Sequence, residues 1–349
     1  PQRKKTKKSL DRRGRVRDRV IFNAYSCTHI LIRCCNTGSN RVKISHSGVY
    51  AMNITKLFDH KKTLFSLEIF PPKKDSPYNT IYNTLLRLRG IPADFISVTY
   101  GAGGSQAQRD KTIEIASLIL TTYHIEPVAH LTCVGLDRAE VIDTLERLKA
   151  NQVQNIMVLR GDITPTMTPK EDFKHASDLA AFIKQYDSSF NLLGACYPEG
   201  HYQAESLEQD IENLKIKIDS GVDHLVTQLF FDNDKFYAFR EKAERAGINV
   251  PIEAGIMPIT NLHQIERTVA LSGASVPAKL SRLFSRYSDN PKALFDAGIF
   301  YATEQIMDLI DHDVRGIHLY TMNNVETATR ISDAIQNVLE AENTPKNAG

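Results

Sequence analysis

The residues of this chain that could do chemistry sit at the ends of short apolar runs. Glu68 stands in Phe65-Ser-Leu-Glu-Ile-Phe, with Pro71 and Pro72 immediately after. A carboxylate inside an apolar strand is costly unless it is paired or functional. Two readings are open: an ion-paired structural residue, or a general acid, since a carboxyl group shielded from water holds its proton more readily. Leu159-Arg160-Gly161-Asp162 closes a later run, and its glycine lets the backbone turn close to a ligand. The flanking opposite charges make either a surface pair or a grip on that ligand. Thr99 and His130 end two further runs and offer a hydroxyl and an imidazole to a heterocycle or a phosphate. Tyr197, Glu199 and His201, then Gln228, supply the aromatic and amide groups that suit a flat ligand with polar edges. Phe230 and Phe231 read as core. Asp210 and Lys217 share one face of a predicted helix, as a ribose or pyrophosphate contact or as an ordinary solvated pair. Tyr320 closes the last run. His130, His175 and His201 lack the spacing of a zinc site, so no metal is expected.

The elements that must position these groups follow from the pattern. Apolar runs at 64–70, 93–100, 126–133, 154–161, 190–197, 223–231, 250–257 and 316–321 read as strands. Amphipathic segments between them read as helices, at 78–88, 109–122, 138–150, 175–185, 206–220, 234–246, 261–271, 278–287, 291–311 and 326–339. Eight strand–helix units predict an α/β fold, a (β/α)8 TIM-type barrel with extra helices between strands 7 and 8. In that fold, polar groups at the carboxyl ends of the strands converge on one mouth. An open doubly wound sheet is the competing fold. Its glycine-rich phosphate turn has one weak candidate, Gly101-Ala-Gly-Gly104, which lacks the spaced third glycine.

Charge divides the chain. Residues 1–51 carry 13 Lys and Arg against two Asp, while the remainder carries 30 basic and 39 acidic residues. The first 51 residues read as a basic, disordered leader or non-native extension, with Met52 a natural beginning. Residues 52–343 read as the catalytic barrel and 344–349 as a tail. An acidic body is not the surface of a nucleic-acid binder, although the leader keeps that class open as an alternative. No apolar run approaches the ~18 residues that span a bilayer. Of Cys27, Cys34, Cys35, Cys133 and Cys196, the two in the body lie in apolar strands without a pairing pattern. They read as small buried hydrophobes in a reducing, cytoplasmic setting.

Taken in order, Leu67-Glu-Ile-Phe-Pro-Pro, Ser97-Val-Thr-Tyr-Gly-Ala-Gly, His130-Leu-Thr-Cys, Leu159-Arg-Gly-Asp, Tyr197-Pro-Glu-Gly-His and Thr227-Gln-Leu-Phe-Phe-Asp resemble the methylenetetrahydrofolate reductase family. The resemblance spans about 64–339, and it implies a bacterial-type enzyme consisting of the catalytic barrel only. It implies an FAD enzyme that takes hydride from NADH or NADPH in a ping-pong cycle. The product, 5-methyltetrahydrofolate, serves methionine synthesis. FAD would contact Thr99, His130, Arg160, Gly161, Asp162, Ala176, Tyr197, His201, Asp210 and Lys217. Glu68 would be the general acid and Asp162 the carboxylate beside the flavin. Glu68, Gln228 and Tyr320 would meet the folate. Small molecules would be the partners, with neither nucleic acid nor membrane, and a homo-oligomer is expected. Two positions depart from the family pattern: His175, where some relatives carry an aromatic hydroxyl, and Asn324, where a basic residue is common. A pterin-dependent methyltransferase barrel without flavin is the alternative enzyme.

Overall fold

The structure, a computed structural model, describes residues 52–72, 79–100, 106–163 and 170–345. The basic leader, the Gly101–Gly104 turn, the loop carrying Pro165 and Pro169, and the end of the tail lie outside the described residues. Eight parallel strands close into one barrel in chain order. They are β1 (Leu64–Ile69), β2 (Phe95–Val98), β3 (Glu126–Thr132), β4 (Asn155–Leu159), β5 (Asn191–Cys196), β6 (His224–Thr227), β7 (Ile252–Ile256) and β8 (Gly316–Tyr320). Closure comes from β1 against β8, with Leu64 opposite Gly316 and Glu68 opposite Tyr320. Around it run α1 (Asn79–Leu88), α2 (Gln106–Leu118), α3 (Arg138–Ala150), α4 (Ala176–Tyr186) and α5 (Leu207–Asp219). The ring continues with α6 (Asn233–Arg245), α7 (Leu262–Ser272), α8 (Ala278–Tyr287), α9 (Pro291–Asp311) and α10 (Val325–Asn343). The predicted barrel and its extra helices before the last strand are both present.

Strands covered on both faces read as continuous apolar runs, which is why β1, β2, β6 and β7 are buried at every residue. Side chains alternate between the barrel interior and the helices. Leu67, Ile69, Ile96 and Val98 face outward into the helix-packed core. Leu64, Phe95, Val128, Met157, Leu193 and Val226 face inward and form the lowest interior layer. Counting by twos from that layer puts Ser66 and Glu68, Ser97 and Thr99, His130, and Gln228 inside the barrel above it.

A short 3₁₀ turn, Ile54–Asp59, closes the floor, with Ile54 and Phe58 packed into the lowest layer. Polar side chains of the barrel hold it there. Asn155 accepts from Ile54 N at 3.1 Å and donates to Met52 O at 3.0 Å. Asn191 accepts from Thr55 N at 3.3 Å.

Two elements differ from the sequence pattern. The run at 223–231 continues past the end of β6, because Gln228 bonds its backbone N–H to Cys196 O and its side-chain oxygen to Leu229 N. The chain then turns away, and Phe231 packs with Met257, Leu280 and Phe284 under the extra helices. The helix at 109–122 ends instead in a wider π turn, Ile119–Tyr123, closed by His124 in the left-handed conformation at φ 56.

The floor predicts a stability contrast. Ile54→Ala, at a position with 0% exposure, should cost about 2–5 kcal/mol. Phe300→Ala, at 70% exposure, should stay within about 0.5 kcal/mol. Urea midpoints at constant m-value measure both, and equal losses would mean that the 3₁₀ turn does not close the core.

Candidate active site

Glu68 comes up from the floor on the inner face of β1 and is only 7% exposed. Among the described residues no lysine or arginine pairs with it. Two imidazoles flank it instead, His130 Nε2 and His318 Nε2, each 3.5 Å from Glu68 Oε2. Ser97 Oγ lies 2.6 Å from His130 Nε2. Burial lowers the His130 pKa to about 4; the Glu68 carboxylate opposes that shift and His318 adds to it. His130 is therefore neutral at pH 7 and offers a lone pair or an N–H, never a full positive charge.

The end of β1 is clamped from β8. Thr321 Oγ1 donates to Glu68 O at 2.6 Å, and the Asn323 side chain bonds Phe70 N and O at 2.8 and 2.9 Å. Met322 and Asn323 hold successive left-handed backbones, at φ 51 and 57, to bring that amide across. Tyr320 is tied as well, donating to Thr227 O at 2.7 Å over β7. Gly255 makes the crossing possible: a Cβ there would stand 2.3 Å from Thr227 O and 2.8 Å from the Tyr320 ring. Burial raises the Tyr320 pKa well above its usual range, and the Glu68 carboxylate adds to the effect. The phenol keeps its proton.

A second group begins on the neighbouring strand and runs round the mouth to β5. Thr99 Oγ1 is buried at the end of β2 and has no hydrogen-bond partner. Past the end of β4, Arg160 bonds the Gln203 side chain and its own Gly161 O. Gly161 turns at φ +85 against Thr132, where a Cβ would be 2.9 Å from Thr132 Cβ. Asp162 follows it, exposed. After β5, the Tyr197 and His201 rings meet edge to face at 4.7 Å. Burial, then Asp210, pushes the Tyr197 phenol up to about 12. Burial lowers the His201 imidazole against the pull of Asp210, which also accepts from His201 N at 3.1 Å. Lys217 donates to Ala195 O at 2.6 Å, and burial lowers its pKa. Ala176 is buried at the first turn of α4.

The two groups share the carboxyl end of the barrel. Tyr320 lies within electrostatic reach of Glu68, and Tyr197 within reach of Arg160 and Asp162. Glu68 on β1, Asp162 beyond β4 and Gln228 beyond β6 all lie at the carboxyl ends of parallel strands, hence at one mouth. Gln228 uses its side-chain oxygen locally, accepting from Leu229 N at 2.9 Å, and its NH2 has no partner among the described residues.

Three residues that the sequence pattern brings near the site serve elsewhere. Glu199 accepts from Ser275 N at 3.0 and 3.2 Å, tying the loop before α8. Asn324 caps α10 through Thr327 N at 3.2 Å. His175 is exposed ahead of α4. Conversely, Ser66, His224, Glu253 and His318 are buried inside the barrel and escaped the sequence reading. Their signal was present: Ser66 and His318 each stand two residues before a strand-end polar group. Cys133 and Cys196 are free and buried. Among the described residues no His, Cys, Asp and Glu group could hold a metal ion. No helix among them is long and apolar enough to cross a membrane.

Comparison with known proteins adds an independent line. The family model described as methylenetetrahydrofolate reductase matches residues 53–336. "Methylenetetrahydrofolate reductase (NADH) 1" of Arabidopsis thaliana is 34% identical over 292 residues, covering 80% of this chain and 49% of that one. "5,10-methylenetetrahydrofolate reductase" of Escherichia coli is 32% identical over 266 residues, covering 76% of this chain and 88% of that one. The chain thus spans about half the length of the plant relative and most of the bacterial one. A solved Clostridium thermocellum protein, which binds two copies of 5-methyl-5,6,7,8-tetrahydrofolic acid, aligns over 82% of this chain and 100% of its own. At a TM-score of 0.58 and 15% identity, it shares the fold.

The neutral His130 carries a pH signature. Between pH 6.5 and about 4 the unfolded chain binds a proton there that the folded chain does not. Stability therefore falls as pH drops through that window, by on the order of 3 kcal/mol from this group. His130→Gln should lose less stability between pH 7 and pH 4 than the parent does. Parallel urea midpoints for the two proteins would contradict the assignment.

Proposed function

The chain belongs to the methylenetetrahydrofolate reductase family, and from that premise we propose that it reduces 5,10-methylenetetrahydrofolate to 5-methyltetrahydrofolate with FAD and NADH or NADPH. The observation that carries the reading is Glu68, a buried carboxyl group with no cation facing it among the described residues, sharing one mouth with Thr99, Arg160, Asp162, Tyr197, His201 and Lys217. The same reading makes the protein a cytoplasmic homo-oligomer that supplies methyl groups for methionine synthesis, with residues 52–343 as its catalytic barrel.

The residues fit a flavin dinucleotide. The unpartnered Thr99 hydroxyl needs a hydrogen-bond partner that the protein does not provide. Arg160 and Lys217 supply positive charge for phosphates, and Asp210 an acceptor for hydroxyls. Together with His130, Gly161, Asp162, Ala176, Tyr197 and His201 they would hold the cofactor. A flavin held there would supply the hydride-transfer chemistry between the nicotinamide and the folate.

Glu68 then has a defined task. Its carboxyl gives a proton to the folate nitrogen, opening the five-membered ring to a cationic iminium. The neutral His130 beside it leaves that proton more mobile than a salt bridge to Lys or Arg would. The negative charge of Asp162 stabilises the cation that forms. Gln228 can donate its NH2 to the pterin edge. Tyr320, its hydroxyl committed to Thr227, offers the ring rather than the proton.

Glu68→Gln separates the roles. It should bind FAD and allow NADH or NADPH to reduce it, yet lose roughly 10²–10⁴-fold in reoxidation by methylenetetrahydrofolate. Loss of FAD instead would make Glu68 structural. Asp162→Asn should slow the folate half-reaction about tenfold or more, the equivalent of one favourable charge interaction. Unchanged rates would remove Asp162 from the mechanism.

A further inference from the structure

Below Glu68 the barrel interior is not filled with apolar side chains alone. Thr55 Oγ1, on the floor turn, lies 3.2 Å from His224 Nδ1. On the other side of that ring, His224 Nε2 is 2.9 Å from Glu253 Oε1. Glu253 Oε2 accepts from Ser66 Oγ at 2.8 Å, and Ser66 Oγ is 2.8 Å from His318 Nδ1. His318 Nε2 faces Glu68 Oε2. His224, Glu253, Ser66 and His318 are all 0% exposed. Thr55 is not: it stands at the amino-terminal face, where Asn191 bonds both its hydroxyl and the partly exposed Asp223.

Packing alone does not explain this column. Apolar side chains of similar size would fill the space without the cost of burying two carboxyl groups and two imidazoles. Two details point to function. Every member both gives and takes a proton: hydroxyl, imidazole or carboxyl, with no lysine or arginine to hold a charge in place. The column also keeps slack, since His318 Nε2, His224 Nε2 and Glu253 Oε1 lack aligned hydrogen bonds despite close neighbours. A purely structural network would be expected to satisfy them.

We propose that Thr55, His224, Glu253, Ser66 and His318 form a relay that returns a proton to Glu68 from the amino-terminal face of the barrel. This rests on the reading of Glu68 as the general acid. Each turnover leaves Glu68 as a carboxylate beneath a bound product that covers the mouth. A solvent proton enters at the Thr55 hydroxyl, which hands its own to His224 Nδ1 while His224 Nε2–H passes to Glu253. Glu253, now protonated on Oε1, turns that proton to Ser66 Oγ, whose own hydroxyl proton leaves Glu253 Oε2 and moves to His318 Nδ1, and the His318 Nε2 proton passes to Glu68. One proton enters, one arrives at Glu68, and each group between ends with as many protons as it began. The five are relay residues; only Glu68 touches the substrate.

The test separates first turnover from repeated turnover in the FAD-loaded full chain. Stopped-flow absorbance follows reoxidation of NADH-reduced enzyme by methylenetetrahydrofolate, and a steady-state assay follows continuous turnover. Ser66→Ala should keep the first-turnover rate within about twofold, because Glu68 starts protonated. Its steady-state rate should fall at least about tenfold, with a larger solvent deuterium isotope effect. Thr55→Val, at the far end of the barrel from the mouth, should show the same split, and Thr55→Ser should restore turnover. If both rates fall together, the residues only position Glu68. If neither falls, the proton arrives through the mouth; either outcome overturns the relay. Should Ser66→Ala fail to fold, the Thr55 pair decides alone. A readout free of the reaction comes from histidine 15N resonances: Glu68→Gln should move those of His224, across the barrel, and unmoved signals contradict the relay. Absence of folate-dependent reoxidation in the parent enzyme would refute the reductase reading itself, which is a separate result.

Discussion

A carboxyl group held out of water, with two imidazoles and no cation facing it among the described residues, is the constraint on which the rest of this barrel depends. Glu68 is almost wholly buried, and among the described residues two imidazoles rather than a lysine or arginine face it. Several features follow from that choice. His130 is buried deeply enough to stay neutral. Tyr320 is tied to Thr227, so that its own proton is not in play. Gly255 gives up its side chain to let that phenol cross. The clamp from Thr321 and Asn323 fixes where the carboxyl stands. A cation in place of either imidazole would hold Glu68 ionised and end its use as an acid.

Beyond β4 and β5 the side chains are of another kind. Arg160, Lys217 and Asp210 suit a large charged ligand, not a proton transfer. One mouth therefore has a dry, proton-bearing side and a charged, hydrogen-bonding side. That division matches a reaction in which a proton and a hydride reach the same substrate from different sources.

Strand parity made much of this legible in the sequence. Glu68, Thr99, His130 and Gln228 stand at the carboxyl ends of apolar runs, and the barrel brings such ends together whatever their separation along the chain. Helices with capping residues and clear apolar faces were equally readable; α3, α8 and α9 fall where the pattern puts them. What the pattern hides is commitment. Glu199 and Asn324 look like site residues until their hydrogen bonds to Ser275 and Thr327 are seen. Ser66, Glu253 and His318 sit within strands and His224 opens β6, where a polar residue reads as an interruption of an apolar run. Only the closed barrel shows that four such interruptions share one interior. The floor turn was hidden for the same reason, since Asn155 and Asn191 find Ile54 and Thr55 through contacts that close late in the fold.

The central claim is that acid and cofactor halves act on one folate at one mouth. Its most direct test is an anaerobic titration of the purified protein reconstituted with FAD. The account predicts a yellow protein, bleached by NADH or NADPH and restored in colour by stoichiometric methylenetetrahydrofolate, with 5-methyltetrahydrofolate as product. A protein that takes up no FAD, or whose bleached flavin stays bleached when the folate is added, would contradict it.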